Sequence, residues 1–298
     1  MQHSDVNFLE IDEHSKTIIP YSINEGRKFN TVVPGLYKTL LHPMGGLSYI
    51  TAFEPIVDRE SLIEFENGVV GDIVNKADKF FSEECTSCFK DLKLCHKMGM
   101  LLYGSPGTGK TSTAYLAMKK LVTKYSAVAL DCTGVEIGHI RRAIKIIRKV
   151  QDSPIVVFVD EFEHRINCGE ENSWLTFLDG GDSVGNTIFL GCTNYVDKIP
   201  DRIKNRKSRI KHSFSVEVLP EDVYKKYITE KLPKLNTGDL AKFSYIAAEK
   251  KLVIDQLKNA IIDYAVDKVS IEDAIAEAAK GDFVPIKPEE DDDDDNEL

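Results

Sequence analysis

Three short apolar runs organise the chain: 100–103 (MLLY), 155–159 (IVVFV) and 187–191 (TIFLG). Each is nearly continuous rather than alternating, the pattern of parallel strands covered on both faces. Around them the apolar spacing changes to that of helices. Residues 68–84 read as one helix, and 111–122 places Ala114, Leu116, Ala117 and Leu121 at close to helical spacing. Residues 140–150 carry the stripe Ile140, Ala143, Ile144, Ile147 and Val150, with Arg141, Lys145 and Arg148 opposite. The sequence therefore predicts an α/β domain over 65–218. From 219 to 282 only helical patterns remain: 221–232, 238–251, 254–266, and a last helix from Ser270 with Asp273 at capping-box spacing and Gly281 as its stop. Before about 65, the stretches LYKTLL and LSYITAF around HPMGG predict a β-hairpin of unassigned role.

The apolar run ending at Tyr103 leads into GSPGTGKT, Gly104 to Thr111. Three glycines and a proline within seven positions exclude a helix or strand interior. The spacing is G-x-x-x-x-G-K-[ST], in which a glycine-rich turn lets backbone N–H groups converge on phosphate oxygens and the following helix adds its positive end. Gly104, Ser105, Pro106, Gly107, Thr108, Gly109, Lys110, Thr111 and Ser112 are the candidate ATP-binding residues. Lys110 is expected on the β- and γ-phosphates, and the Thr111 hydroxyl on Mg²⁺. The run 155–159 ends in Asp160-Glu161, two carboxylates at the carboxyl end of a strand, where open α/β sheets bind ligands. Asp160 is expected to coordinate Mg²⁺ through water and Glu161 to polarise the attacking water. The third run delivers Asn194, whose neutral amide can bond the γ-phosphate and the lytic water without adding charge.

Together, GMLLYGSPGTGKT, VVFVDEFE, LDG at 178–180, FLGCTN and RIKNRKSRIK resemble AAA+ ATPases. The likeness covers roughly 65–280 and is nearest the remodelling branch that includes the mitochondrial Rieske-protein translocase. The resemblance implies a P-loop sheet of strand order 5-1-4-3-2, a C-terminal helical lid, and assembly into a ring, usually hexameric. It makes Asn194 sensor 1 and makes Arg209, then Arg206, the finger reaching a neighbouring subunit's nucleotide, although Lys207-Ser208 replaces the family's Pro-Gly between them. The run Arg202, Lys204, Arg206, Lys207, Arg209, Lys211 also reads as a nucleic-acid surface or a solvated loop. TGDL at 237–240 resembles the lid of the remodelling branch, and no arginine is found for a sensor 2 role. The family's substrate-gripping loop corresponds to the short connection 132–139, which lacks an aromatic residue. Val135 and Ile137 are its only bulky apolar side chains, and the Arg141/Lys145/Arg148 face is the alternative lining for a channel.

Charge changes the picture in one place. The formal net charge of −10 lies mostly in 283–298, where EEDDDDDNEL leaves −2 for residues 1–288. A segment of that composition is expected to be disordered, whether as a solubilising tail, a lure for a basic partner or an internal competitor for basic surface. The near-neutral body offers no global field for nucleic acid. No apolar stretch approaches a membrane span, and MQHSDVNFLEIDEHSK does not read as a secretory signal, so a cytoplasmic, reducing location is expected. Cys85, Cys88, Cys95 and His96 fall within twelve residues and read either as a zinc site or as small side chains on a helix and its connector. The function expected is Mg²⁺-dependent ATP hydrolysis in a protein-remodelling ring, with a clamp-loader or helicase-loader acting on nucleic acid as the alternative.

Overall fold

The computed structural model describes residues 8–12, 17–21, 32–43, 49–55, 68–180, 185–216 and 221–280. The chain divides into two compact units, 1–217 and 218–298. The first contains β1 (Phe8–Asp12), β2 (Thr17–Tyr21), β3 (Gly35–Pro43), β4 (Tyr49–Pro55), α1 (Val69–Phe81), α2 (Glu83–Asp91), β5 (Lys97–Tyr103), α3 (Lys110–Tyr125), β6 (Val128–Asp131), α4 (Ile137–Val150), β7 (Ile155–Val159), α5 (Phe162–Arg165), α6 (Glu171–Asp179), β8 (Thr187–Thr193), α7 (Asp201–Lys204) and β9 (His212–Ser215). One sheet runs through it in the order β2-β1-β4-β3-β6-β7-β8-β5-β9. The six strands from β3 to β9 pair in parallel. Within them β9-β5-β8-β7-β6 has the 5-1-4-3-2 order implied by the resemblance.

The apolar runs form the centre of this sheet for the reason their composition suggested. Successive residues of β7 point to opposite faces, with Ile155, Val157 and Val159 in the core under α4 and α6 and Val156 and Phe158 in the core under α1 and α3. Burying each such side chain contributes roughly 1.5–3 kcal/mol. The predicted hairpin is present as the antiparallel pair β3–β4, Tyr37 opposite Pro55 through Pro43 opposite Tyr49, while its turn at 44–48 lies outside the described residues. It is not set apart from the α/β domain, because β3 lies parallel to β6 from Gly35↔Val128 to Lys38↔Asp131 and carries the sheet onward into β4, β1 and β2.

Edge strand β9 is held close to β5 by a glycine. A Cβ on Gly99 would lie 1.9 Å from the Arg209 carbonyl oxygen, and the Lys211 N–H donates to the Gly99 carbonyl at 2.8 Å. Since the obstruction is backbone, no rotamer change relieves it. Gly99→Ala is expected to lower stability by about 3 kcal/mol, seen as a fall in Tm by circular dichroism, and a wild-type Tm would contradict this close approach.

The second unit is helical: α8 (Glu221–Lys231), α9 (Thr237–Glu249), α10 (Ile254–Ile262) continuing into a π-type turn at Asp263–Asp267, and α11 (Ile271–Lys280). Its core gathers Tyr224, Ile228, Phe243, Ala247, Leu257, Ala260, Ala274 and Ile275. The Tyr224 hydroxyl donates to the Leu252 carbonyl at 2.9 Å. The Asp239 N–H donates to the Asn236 side chain at 2.9 Å, and the Asp273 N–H to the Ser270 hydroxyl at 3.1 Å, which caps α9 and α11. Gly281 and the acidic segment lie outside the described residues.

Candidate nucleotide site

The phosphate loop joins the carboxyl end of β5 to the first turn of α3. Gly104, Gly107 and Gly109 all have positive φ, of 154°, 78° and 88°, which only glycine adopts readily. Gly109 is the N-cap of α3, and its left-handed backbone turns the chain directly into the helix. Among the described residues, the N–H groups of Gly107, Thr108, Gly109 and Thr111 donate to no backbone carbonyl, so the loop presents a row of donors beside a helix N-terminus. The Thr108 hydroxyl closes the loop on the Ser105 carbonyl at 2.9 Å. Lys110 is 6% exposed, and its ammonium donates to the Gly104 and Ser105 carbonyls at 2.8 and 2.6 Å. These bonds hold the ammonium inside the loop, beside the row of backbone donors.

Opposite the loop, β7 delivers Asp160 and Glu161. The Thr111 hydroxyl donates to Asp160 Oδ2 at 2.5 Å, bringing together the two groups assigned to Mg²⁺. An aspartate carboxylate and a threonine hydroxyl are hard oxygen donors, beside an array that takes phosphates, so both ATP and Mg²⁺ fit this site. Glu161 has φ 49° and ψ 47°, and its N–H donates to Asp160 Oδ1 at 2.9 Å. A left-handed backbone at a non-glycine residue costs of order 1–3 kcal/mol. Here it leaves the Glu161 side chain exposed next to Asp160.

Asn194 follows β8 at partial exposure. Its N–H donates to Glu163 Oε1 at 3.4 Å. Glu163 escaped the sequence reading. It lies in the first turn of α5, is 1% exposed, and its Oε2 has no partner among the described residues. The signal was the second acid in DEFE, indistinguishable there from a solvated helix residue.

In the basic loop the structure gives the two finger candidates different surroundings. Arg209, the first choice for a finger, is buried within its own subunit. Its Nε and Nη2 donate to Asp179 Oδ1 and Oδ2 at 2.8 and 2.7 Å, and Nη1 donates to the Arg202 carbonyl. These hydrogen bonds hold the Asp179 carboxyl below the usual carboxylate range against the opposing effect of burial. The LDG triplet is thereby explained: Asp179 takes the guanidinium, while Gly180 ends α6 with φ 82° where a Cβ would meet Lys97 and Cys95. The exposed cations of the loop are Arg202, Arg206, Lys207 and Lys211, of which Arg202 pairs with Glu171.

Two expectations for the neighbouring helix are corrected. Helix α4 begins at Ile137, and Val135 and Ile137 are both in the core, so neither is available to grip a substrate. The Arg141/Lys145/Arg148 face is not an open basic strip. Arg141 donates to the Ser173 carbonyl, and Arg148 donates to the carbonyls of Ser153, Gly185 and Asn186 at 2.6 to 3.2 Å, bridging the segments that precede β7 and β8. Cys85 and Cys88 lie on α2, whereas the His96 ring stacks on Phe80 at 4.0 Å and bonds the Phe80 carbonyl at 2.8 Å. Among the described residues no three His, Cys, Asp or Glu side chains gather as a metal site. Nor is any described helix long and apolar enough to cross a membrane.

A glycine-rich loop before α3, facing a metal-type carboxylate and a second acid at the end of a central parallel strand, defines a P-loop nucleotide-binding domain. Residues 100–218 match the family described as "ATPase family associated with various cellular activities (AAA)". Similar curated proteins are the proteasome-associated ATPases of Streptomyces scabiei (strain 87.22) and Mycobacterium sp. (strain KMS). The first is 29% identical over 187 residues, covering 51% of this chain and 32% of the relative. The second is 27% identical over 212 residues, covering 59% and 34%. The chain thus spans about a third of the length of these relatives.

Proposed function

We propose that the chain hydrolyses ATP with Mg²⁺ in a cytoplasmic, oligomeric AAA+ ring, hexameric by its motif likeness, that remodels protein complexes in the manner of a chaperone. The observation that carries the hydrolytic reading is the Thr111–Asp160 contact at 2.5 Å with Glu161 exposed beside it. Lys110 and the loop N–H groups bind and orient the β- and γ-phosphates. Glu161 accepts a proton from the attacking water as its oxygen reaches the γ-phosphorus and ADP leaves, and the Asn194 amide orients that water. Thr111 and Asp160 would hold Mg²⁺, whose charge would neutralise the phosphate oxygens. Of the two finger candidates, Arg206 is the one presented outward, and the proposal gives it the trans role.

Protein rather than nucleic acid is favoured as the substrate because Arg141 and Arg148 are spent on backbone carbonyls. The similarity to proteasome-associated ATPases, and the motif likeness to the Rieske-protein translocase, point the same way. The short connection after β6 exposes neither of its bulky apolar side chains, so any grip on a polypeptide comes from other residues. Trapping Glu161→Gln with ATP in the native host is expected to co-purify protein, with DNA and RNA leaving ATPase activity unchanged from low to moderate salt. Stimulation by an oligonucleotide that falls steeply with salt would instead establish the loader reading.

A further inference from the structure

Asp160, the carboxylate given the metal, is held from two sides, and the second side lies outside every motif in the chain. Thr111 and Tyr115 are one turn apart on α3, which places their side chains on one face. Thr111 reaches Asp160 Oδ2, while the Tyr115 hydroxyl donates to Asp131 Oδ2 at 2.5 Å. The other oxygen of Asp131 accepts the Thr133 N–H at 2.9 Å, and the Thr133 hydroxyl accepts the Asp160 N–H at 3.0 Å. The hydrogen bonds therefore close a circuit from α3 to the end of β6, to the end of β7, and back to α3.

The circuit begins where the β6–β7 ladder stops. Cys132 N–H still donates to the Phe158 carbonyl at 2.8 Å, but the Cys132 carbonyl is turned away to accept the Val135 N–H at 3.0 Å. The next donor on the β7 side, Asp160 N–H, goes to the Thr133 side chain instead. A threonine hydroxyl thus continues the ladder at the residue where the metal carboxylate leaves the strand. Asp131 is buried and has both oxygens engaged, so it cannot shift without losing a partner. The Tyr115 ring packs edge-on against Phe158 at 5.6 Å, and burial, reinforced by Asp131, raises its phenol well above the usual value and keeps it a donor at neutral pH.

We infer that Tyr115, Asp131 and Thr133 form a brace of positioning residues that sets the orientation of Asp160, and with it the metal affinity of the nucleotide site. The inference rests on the nucleotide reading of that site. Partners one step behind a metal ligand commonly change metal affinity by about 10–100-fold when removed.

The test measures binding rather than turnover. A fluorescent ATP analogue is titrated onto the full chain at increasing Mg²⁺, and the electron paramagnetic resonance of Mn²⁺ reports the metal directly. Thr133→Val is expected to raise the half-saturating Mg²⁺ about tenfold while metal-free analogue affinity stays at the wild-type value, and Thr133→Ser is expected to restore the wild-type dependence. Tyr115→Phe removes one oxygen and is expected to act in the same direction more weakly. Combined with Thr133→Val it should add nothing, because both changes open one circuit. The brace is overturned if folded Thr133→Val and Tyr115→Phe both keep wild-type Mg²⁺ dependence, or if metal-free binding falls as much as metal-dependent binding. Should Thr133→Val fail to fold, Tyr115→Phe alone decides. A wild-type chain that binds the analogue without any response to Mg²⁺ would remove the nucleotide reading and the brace together, an outcome distinct from failure of the brace alone.

Discussion

Lys110→Ala is expected to abolish ATP binding, while Glu161→Gln binds ATP as wild type does and loses turnover. The two residues act on different states of the reaction. The Lys110 ammonium is buried in the loop and donates to the Gly104 and Ser105 carbonyls. Phosphate oxygens would give this ammonium charged acceptors in addition to those carbonyls. Removing two charge-assisted hydrogen bonds of about 1.5–3 kcal/mol each weakens binding on the order of a hundredfold or more. Glu161 is exposed beyond the end of β7, and its N–H rather than its carboxylate bonds Asp160, so its amide form is expected to keep ground-state contacts and remove only the proton acceptor. General-base catalysis is worth about 10²–10⁴ in rate, and the loss should appear wholly in kcat. Isothermal titration with ATP and a single-turnover assay separate the two. Wild-type hydrolysis by Glu161→Gln would remove Glu161 from the role of base.

What the sequence made legible is what local pattern controls. The buried strands β5, β7 and β8 announced themselves as apolar runs because both faces of each are covered, and the loop between β5 and α3 because only glycine takes its backbone angles. Strand β9 was hidden. It is a four-residue edge strand with alternate residues exposed, inside a run read for its cations. The start of α4 was misplaced for a related reason. The N-cap residue Glu136 makes no side-chain cap, but the Ile137 N–H is taken at 3.0 Å by Glu170, thirty-three residues later. That distant carboxylate lets the helix begin early and draws Val135 and Ile137 into the core. Asp131, Thr133 and Glu163 are ordinary polar residues whose roles come from what the fold sets beside them. Arg209 shows the same limit from the other direction, since a spacing can name a guanidinium without saying whether its partner is in the same chain.

Arg206→Ala and Arg209→Ala are therefore expected to fail differently. Arg206 is exposed, and its charge helps to lower the Asp179 carboxyl. Its removal should leave Tm and ATP affinity at wild-type values. If it supplies the trans charge, turnover should fall on the order of a thousandfold, and mixtures with wild type should lose more activity than dilution explains, since each defective subunit also disables its neighbour's site. Arg209 is 7% exposed and bidentate on Asp179, whose side chain is 40% exposed. Breaking a fully buried pair costs about 3–5 kcal/mol. Solvent around Asp179 reduces this to roughly 2 kcal/mol, a drop in Tm of about 4–8 °C for a domain of this size. Because the pair lowers the folded-state pKa of Asp179, its stabilisation is fully present above the unfolded carboxylate value near about 4 and is lost as pH falls through the depressed folded value. The Tm gap between wild type and Arg209→Ala should accordingly be full at neutral pH and close in acid. An Arg209→Ala protein with wild-type Tm and no turnover would return the finger to Arg209, and would require the Asp179 contact to open when a neighbouring subunit docks.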